Sequence, residues 1–176
     1  PPQPASTPLN TLPLGSSIDS LAVTQDHSCR GRINLSSGAV DDICVSSTSH
    51  HAGVDLVPTD GDLRVFAAAA GTVISAVTNC LNGDTSCNSG YGNSLIIQHG
   101  PDLYTLYAHL APGSVVVTTG EVSAGQLLAE MGRTGNVTGV HLHFEVKNHP
   151  GLRDSTNSYA AYTPSHPNNY GYLDPW

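Results

Sequence analysis

The stretch His141-Leu142-His143-Phe144-Glu145-Val146-Lys147 constrains the fold more than any other part of this chain. Polar and apolar side chains alternate with period two, the pattern of a strand with one face on a core. As a strand it places Leu142, Phe144 and Val146 on the core face. His141, His143, Glu145 and Lys147 then share the other. Two imidazoles side by side on a strand are either half-exposed surface histidines or two members of one metal-centred site.

Other segments read as strands as well: Arg64–Ala69, Thr72–Thr78, Asn93–His99, Asp102–His109, Ser114–Val117, Gln126–Met131 and Val140–Lys147. Gly100-Pro101 is a turn dipeptide that pairs the third with the fourth. The short spacings predict an antiparallel meander rather than βαβ units. With 18 Gly, 12 Pro and no long helical pattern in 176 residues, the expected fold class is all-β, mainly antiparallel and loop-rich. Residues 1–20 read as a linker or N-terminal arm, rich in Pro and Ser. The folded domain is expected over 21–150, its first part irregular and disulfide-tied to about Ser49. Residues 151–176 read as a loop-rich extension packed on it.

Charge excludes several functions. Six Lys and Arg against 14 Asp and Glu leave a net charge of −8, opposite to what nucleic acid or an anionic membrane surface attracts. No apolar run approaches 18 residues, so no membrane insertion is expected. The four cysteines form local pairs, Cys29/Cys44 and Cys80/Cys87, neither of them a CxxC. Disulfides Cys29–Cys44 and Cys80–Cys87 are the expected connectivity, against the alternative of four buried thiols. They favour an oxidising compartment. The chain starts at Pro1 without Met and shows no signal peptide, so a trimmed form is expected, secreted or in the cell envelope.

Nine histidines are many for this composition. His51-Ala52-Gly53-Val54-Asp55 sets an imidazole four positions from a carboxylate, with Gly53 permitting a tight bend. Both are ordinary zinc donors. Tyr107-Ala108-His109-Leu110 ends a strand on a further histidine. By itself each motif is weak.

Taken in order, HxGxD at 51–55, YAHL at 107–110 and HLHFEV at 141–146 resemble the M23 family of zinc metallopeptidases, the lysostaphin/LytM-like peptidoglycan endopeptidases. The text between them is similar to that family too, in VFAAAAGTVIS (65–75), YGNSLIIQHG (91–100) and MGRTGNVTG (131–139). The resemblance implies sheets forming a groove, of the duplicated-hybrid-motif type, with one zinc ion per chain at its floor. It makes His51, Asp55 and His143 the zinc ligands and His109 and His141 the catalytic pair. Three protein ligands leave one position open for water, which zinc acidifies. One histidine would take the water proton and the other would donate, with their order left open. Activity near neutral pH is expected. The implied substrate is a peptide bond of bacterial peptidoglycan, cut by a monomer.

Other chemistries fail on their motifs. There is no HExxH glutamate and no GxSxG serine, and Gly132–Asn136 is too irregular for a phosphate loop. His99 reads as structural, His50 as a neighbour of the ligand, and His27, His149 and His166 as solvated. Tyr91, Tyr104 and Tyr107 read as packing residues, Glu145 as a peripheral hydrogen-bonding group, and Asn93 and Asn136 as possible substrate contacts. Some M23 members carry a tyrosine shortly before the first ligand histidine, and Cys44–His50 has none. Two rival readings remain: a wall-binding or amidase-activating module, whose relatives typically lose metal ligands, and a zinc peptidase acting on secreted proteins. A latent form with residues 1–20 lying in the groove is a further variant.

Overall fold

The computed structural model of the chain describes residues 53–101 and 103–147, together with the backbone of four short strands outside that range. Those four are β1 (Leu21–Gln25), β2 (Ile33–Asn34), β3 (Ala39–Val40) and β12 (Tyr172–Leu173). Between them lie β4 (Val54–Pro58), β5 (Arg64–Phe66), β6 (Gly71–Val77), β7 (Asn93–Gly100), β8 (Leu103–Leu110), β9 (Gly120–Val122), β10 (Leu127–Glu130) and β11 (Leu142–Lys147). No α-helix occurs among the described residues, and a 3-10 turn spans Cys87–Gly90.

The main sheet is antiparallel throughout, in the order β1-β4-β11-β8-β7-β6-β9, with β12 on the end of β11. β6, β7 and β8 form the expected meander, with β7 and β8 joined across Gly100-Pro101. β5 pairs instead with β10, and β2 with β3. Both faces of β11 are covered. Phe144 and Val146 join Val54, Leu56, Leu95, Ile97 and Tyr107 in the principal core. His143, Glu145 and Lys147 stand across from Ala108, Leu106 and Tyr104, which form a second cluster with Tyr91 and Ile96.

Several expectations need correction. The chain before Ser49 is not wholly irregular, because β1 extends the sheet beside β4 and β2 pairs with β3. Ser114–Val117 is not a strand: Val116 N–H reaches Leu128 O, and Ser114 Oγ binds Ala111 O instead of joining a ladder. Gly120–Val122 supplies the edge strand instead. The run Arg64–Ala69 stops pairing at Phe66. Ala67 to Ala69 are buried, and the Ala68 N–H donates to the Tyr107 hydroxyl at 2.9 Å. The tail is not all loop, since β12 pairs with Val146 and Lys147. The Cys80–Cys87 disulfide is formed; Cys29–Cys44, the N-terminal arm and His27, His149 and His166 lie outside the described residues.

His99 is structural, as its position suggested. Its Nδ1 lies 2.8 Å from Ala70 O and its Nε2 2.7 Å from Thr105 Oγ1, itself 3.1 Å from the Tyr107 hydroxyl. A carbonyl only accepts, so Nδ1 carries the proton and Nε2 accepts from Thr105. Tyr107 must then donate to Thr105, and every proton in the chain is used. Burial pushes the His99 pKa down, only partly offset by the Ala70 carbonyl. A histidine with a depressed folded pKa contributes stability above its unfolded value near 6.5, and loses it as pH falls below that. Urea titrations from pH 7.5 to 5 are therefore predicted to show a shallower loss of stability in His99→Gln than in the wild type. Parallel curves would contradict the neutral, buried state of His99.

Candidate metal and catalytic site

Three neighbouring strands converge on one spot. β4 and β11 pair so that Asp55 stands directly opposite His143, and β8 flanks β11 on its other side with Ala108 opposite His143. Gly53 lies in a bend just before β4, as expected of HxGxD, and it also permits a close approach. Its φ is not in the left-handed region, and a Cβ there would run into the Phe144 carbonyl of β11.

Asp55 Oδ1 lies 2.9 Å from His143 Nδ1 and 3.6 Å from His141 Nε2. The other nitrogen of His143, Nε2, is 2.9 Å from Glu145 Oε1. Glu145 Oε1 also accepts the Tyr91 hydroxyl at 3.0 Å, and Oε2 lies 3.2 Å from Lys147 Nζ. Glu145 and Lys147 are fully buried. Burial opposes charge on His143, but hydrogen bonds to Asp55 and Glu145 outweigh it and raise its pKa to about 9. Burial likewise works against the Glu145 carboxylate, yet His143, Lys147 and Tyr91 hold its pKa below the ordinary value. The Lys147 pKa is lowered, mainly by burial.

His109 reaches the site by an irregularity. From Asn93↔Leu110 to Leu95↔Tyr107, β7 advances two residues and β8 three, so β8 carries a one-residue bulge. Tyr107 and Leu110 consequently both pack in the principal core, and His109 turns to the opposite side with a φ of 60°. Its ring centroid lies 4.8 Å from that of His141 and 5.8 Å from that of His143. His109 Nδ1 is 2.9 Å from Thr134 O, and His141 Nδ1 is 3.1 Å from Gly139 O. Carbonyl partners require protons on both Nδ1 atoms, which leaves each Nε2 as the working nitrogen. Burial, then the neighbouring His143 and His141, push the His109 pKa down to about 3.

The structure thus brings Asp55, His109, His141 and His143 together. His51 and His50 lie outside the described residues, and the described ones alone form no cluster of three metal-donor side chains. The donor chemistry nonetheless suits a metal. An imidazole nitrogen and a carboxylate oxygen point at each other, and the far nitrogen of that imidazole is held by a second carboxylate, as in metal sites generally. Asn93 is a correction. It is buried, accepts Cys80 N–H at 2.8 Å and donates to Cys80 O, so it braces the disulfide loop rather than touching substrate. Asn136 is exposed and its N–H donates to Gly90 O. Sequence reasoning missed the roles of Tyr91 and Thr134. The only signals were their neighbouring glycines: Gly92 has a φ of 65°, and any side chain there would collide with Thr134.

The profile of Peptidase family M23 matches residues 49–157, and the chain belongs to this family. It is 34% identical over 97 residues to the DD-carboxypeptidase/endopeptidase Mpg of Neisseria meningitidis serogroup B, covering 55% of this chain and 20% of that protein. It is 36% identical over 110 residues to the murein hydrolase activator NlpD of Escherichia coli, covering 62% of this chain and 26% of the relative. The chain therefore spans only about a fifth to a quarter of the length of these curated relatives. Among solved structures it is similar to a zinc containing peptidase from Vibrio cholerae, with a TM-score of 0.54 and 26% identity over 88% of this chain and 40% of that one.

Gly92→Ala is predicted to displace Thr134 and cost about 2 kcal/mol or more from overpacking and a left-handed alanine. Urea unfolding and the His109 ring resonances would both shift. An unchanged midpoint with unchanged His109 signals would show that the Gly92–Thr134 contact does not hold that histidine.

Proposed function

We propose that the chain is a zinc-dependent endopeptidase that hydrolyses peptide bonds in bacterial peptidoglycan, in stem-peptide cross-links or interpeptide bridges. The observation that carries this reading is the pairing of Asp55 with His143 beneath two further histidines whose Nδ1 atoms are both tied to carbonyls. Its domain is proposed to run over residues 21–150, acting as a monomer in the periplasm, cell envelope or medium.

His51, Asp55 and His143 would hold one zinc ion, His143 through Nδ1. Zinc, when bound, supplies a Lewis acid that acidifies water and polarises the scissile carbonyl. His109 is neutral in the resting site and presents a lone pair on Nε2, the form in which it accepts a proton. Negative charge entering beside it strengthens it as a base. His141, half-buried and 3.6 Å from Asp55, presents its Nε2 to the developing oxyanion or the leaving amine. The Tyr91 hydroxyl is engaged by Glu145, so it does not take the place of the tyrosine absent before His51.

The similarity to NlpD supports a second reading, an activator of a separate murein hydrolase. The joint presence of Asp55, His109, His141 and His143 in one spot favours the enzyme, since an activator needs no working imidazoles. Purified sacculi of several peptide chemotypes, incubated with the zinc-loaded chain, are predicted to release fragments whose masses identify the bond. Chelator and His141→Ala should each suppress release at least tenfold, with zinc retained in His141→Ala and lost in His143→Ala. Release only when a murein hydrolase is added would establish the activator instead. Stoichiometric zinc in His143→Ala would remove that residue from the ligand set.

A further inference from the structure

We propose that Glu145 is a positioning residue that fixes the tautomer and orientation of His143, with Tyr91 and Lys147 holding it to that task. The inference rests on His143 binding metal through Nδ1, the nitrogen that faces Asp55. A neutral imidazole carries one ring proton, and a nitrogen that binds metal carries none. The proton must then sit on Nε2, where Glu145 Oε1 accepts it at 2.9 Å. A histidine with no acceptor at Nε2 would be free to carry its proton on either nitrogen and to rotate.

The supporting groups are arranged around the Glu145 carboxylate. His143, Glu145 and Lys147 are alternate residues of β11, so strand geometry places all three on one face. Oε2 takes the Lys147 ammonium at 3.2 Å, and Oε1 takes the Tyr91 hydroxyl at 3.0 Å beside His143. A fully buried ion pair is poor value as a source of stability, because desolvating both charges offsets their attraction. Its place next to His143 is explained by what it does to that histidine. Tyr91 adds a second link. Its ring lies edge-on to His143 with centroids 5.7 Å apart, and its carbonyl accepts the His109 N–H at 3.0 Å. One residue thereby keeps the metal side of the site in register with the base side.

Two variants of the full chain test this. Tyr91→Phe removes one hydroxyl and keeps the ring. Glu145→Met combined with Lys147→Met removes the acceptor at His143 Nε2 and both buried charges, with side chains of similar length. The double variant is predicted to weaken zinc binding by about 10–100-fold, measured by competition with a chromophoric chelator. At saturating zinc, kcat should fall while KM changes little. Tyr91→Phe should weaken zinc roughly tenfold, the scale of one hydrogen bond to a charged group. In nitrogen-15 NMR of the zinc-loaded wild type, the His143 Nε2–H should exchange slowly with water, and faster in both variants. Wild-type zinc affinity and Nε2–H exchange in both variants would overturn the proposal, leaving the pair as a core filler. Should the double variant not fold, Tyr91→Phe and the exchange measurement decide the matter. A wild type that takes up no zinc would sink the metallopeptidase reading itself, a separate failure.

Discussion

The antiparallel register of β4 against β11 is the constraint on which the site depends. It places Asp55 opposite His143, although 88 residues separate them in sequence, and their side chains meet at 2.9 Å. A one-residue slip would turn every side chain of the moving strand to the other face. The same slip would send Phe144 and Val146 out of the principal core, so hydrophobic burial enforces the register that brings the two donors together. Gly53 permits this close approach, because any side chain there meets the β11 backbone.

The second half of the site is built by a departure from regularity. Unbroken alternation along β8 would set His109 beside Tyr107, inside the core. A bulge and a left-handed backbone redirect it toward His141 and His143. Such a conformation is unfavourable for histidine and persists because its surroundings hold it. Here the His109 N–H is held by Tyr91 O and its Nδ1 by Thr134 O, both on loops braced by Asn93 and the Cys80–Cys87 disulfide. Removing that disulfide should loosen the unfolded chain by about 2 kcal/mol of loop entropy.

Much of this was legible in the residues. The alternation of His141–Lys147 specified a strand and its two faces, and Gly100-Pro101 specified the β7–β8 hairpin. The bulge was not legible, because a bulge needs both strands and no single segment announces it. His109 entered the candidate site only through the resemblance of its motif to a family. Glu145 and Lys147 read as polar neighbours of the histidines, yet both are fully buried. What covers that face, including Tyr91 beyond the Cys80–Cys87 loop, is distant in sequence. Ser114–Val117 failed as a strand because its run of β-branched valines has no partner ladder to join.

The family membership agrees with the all-β fold, and the named relatives include an enzyme and an activator. For this chain, the proposed enzyme requires a working metal site. The most direct test is zinc K-edge X-ray absorption on the full chain loaded with one equivalent of zinc. The account predicts a shell of nitrogen and oxygen donors at about 2.0–2.2 Å, with two imidazoles and no sulfur. No bound zinc, or a shell containing sulfur or a single imidazole, would contradict it.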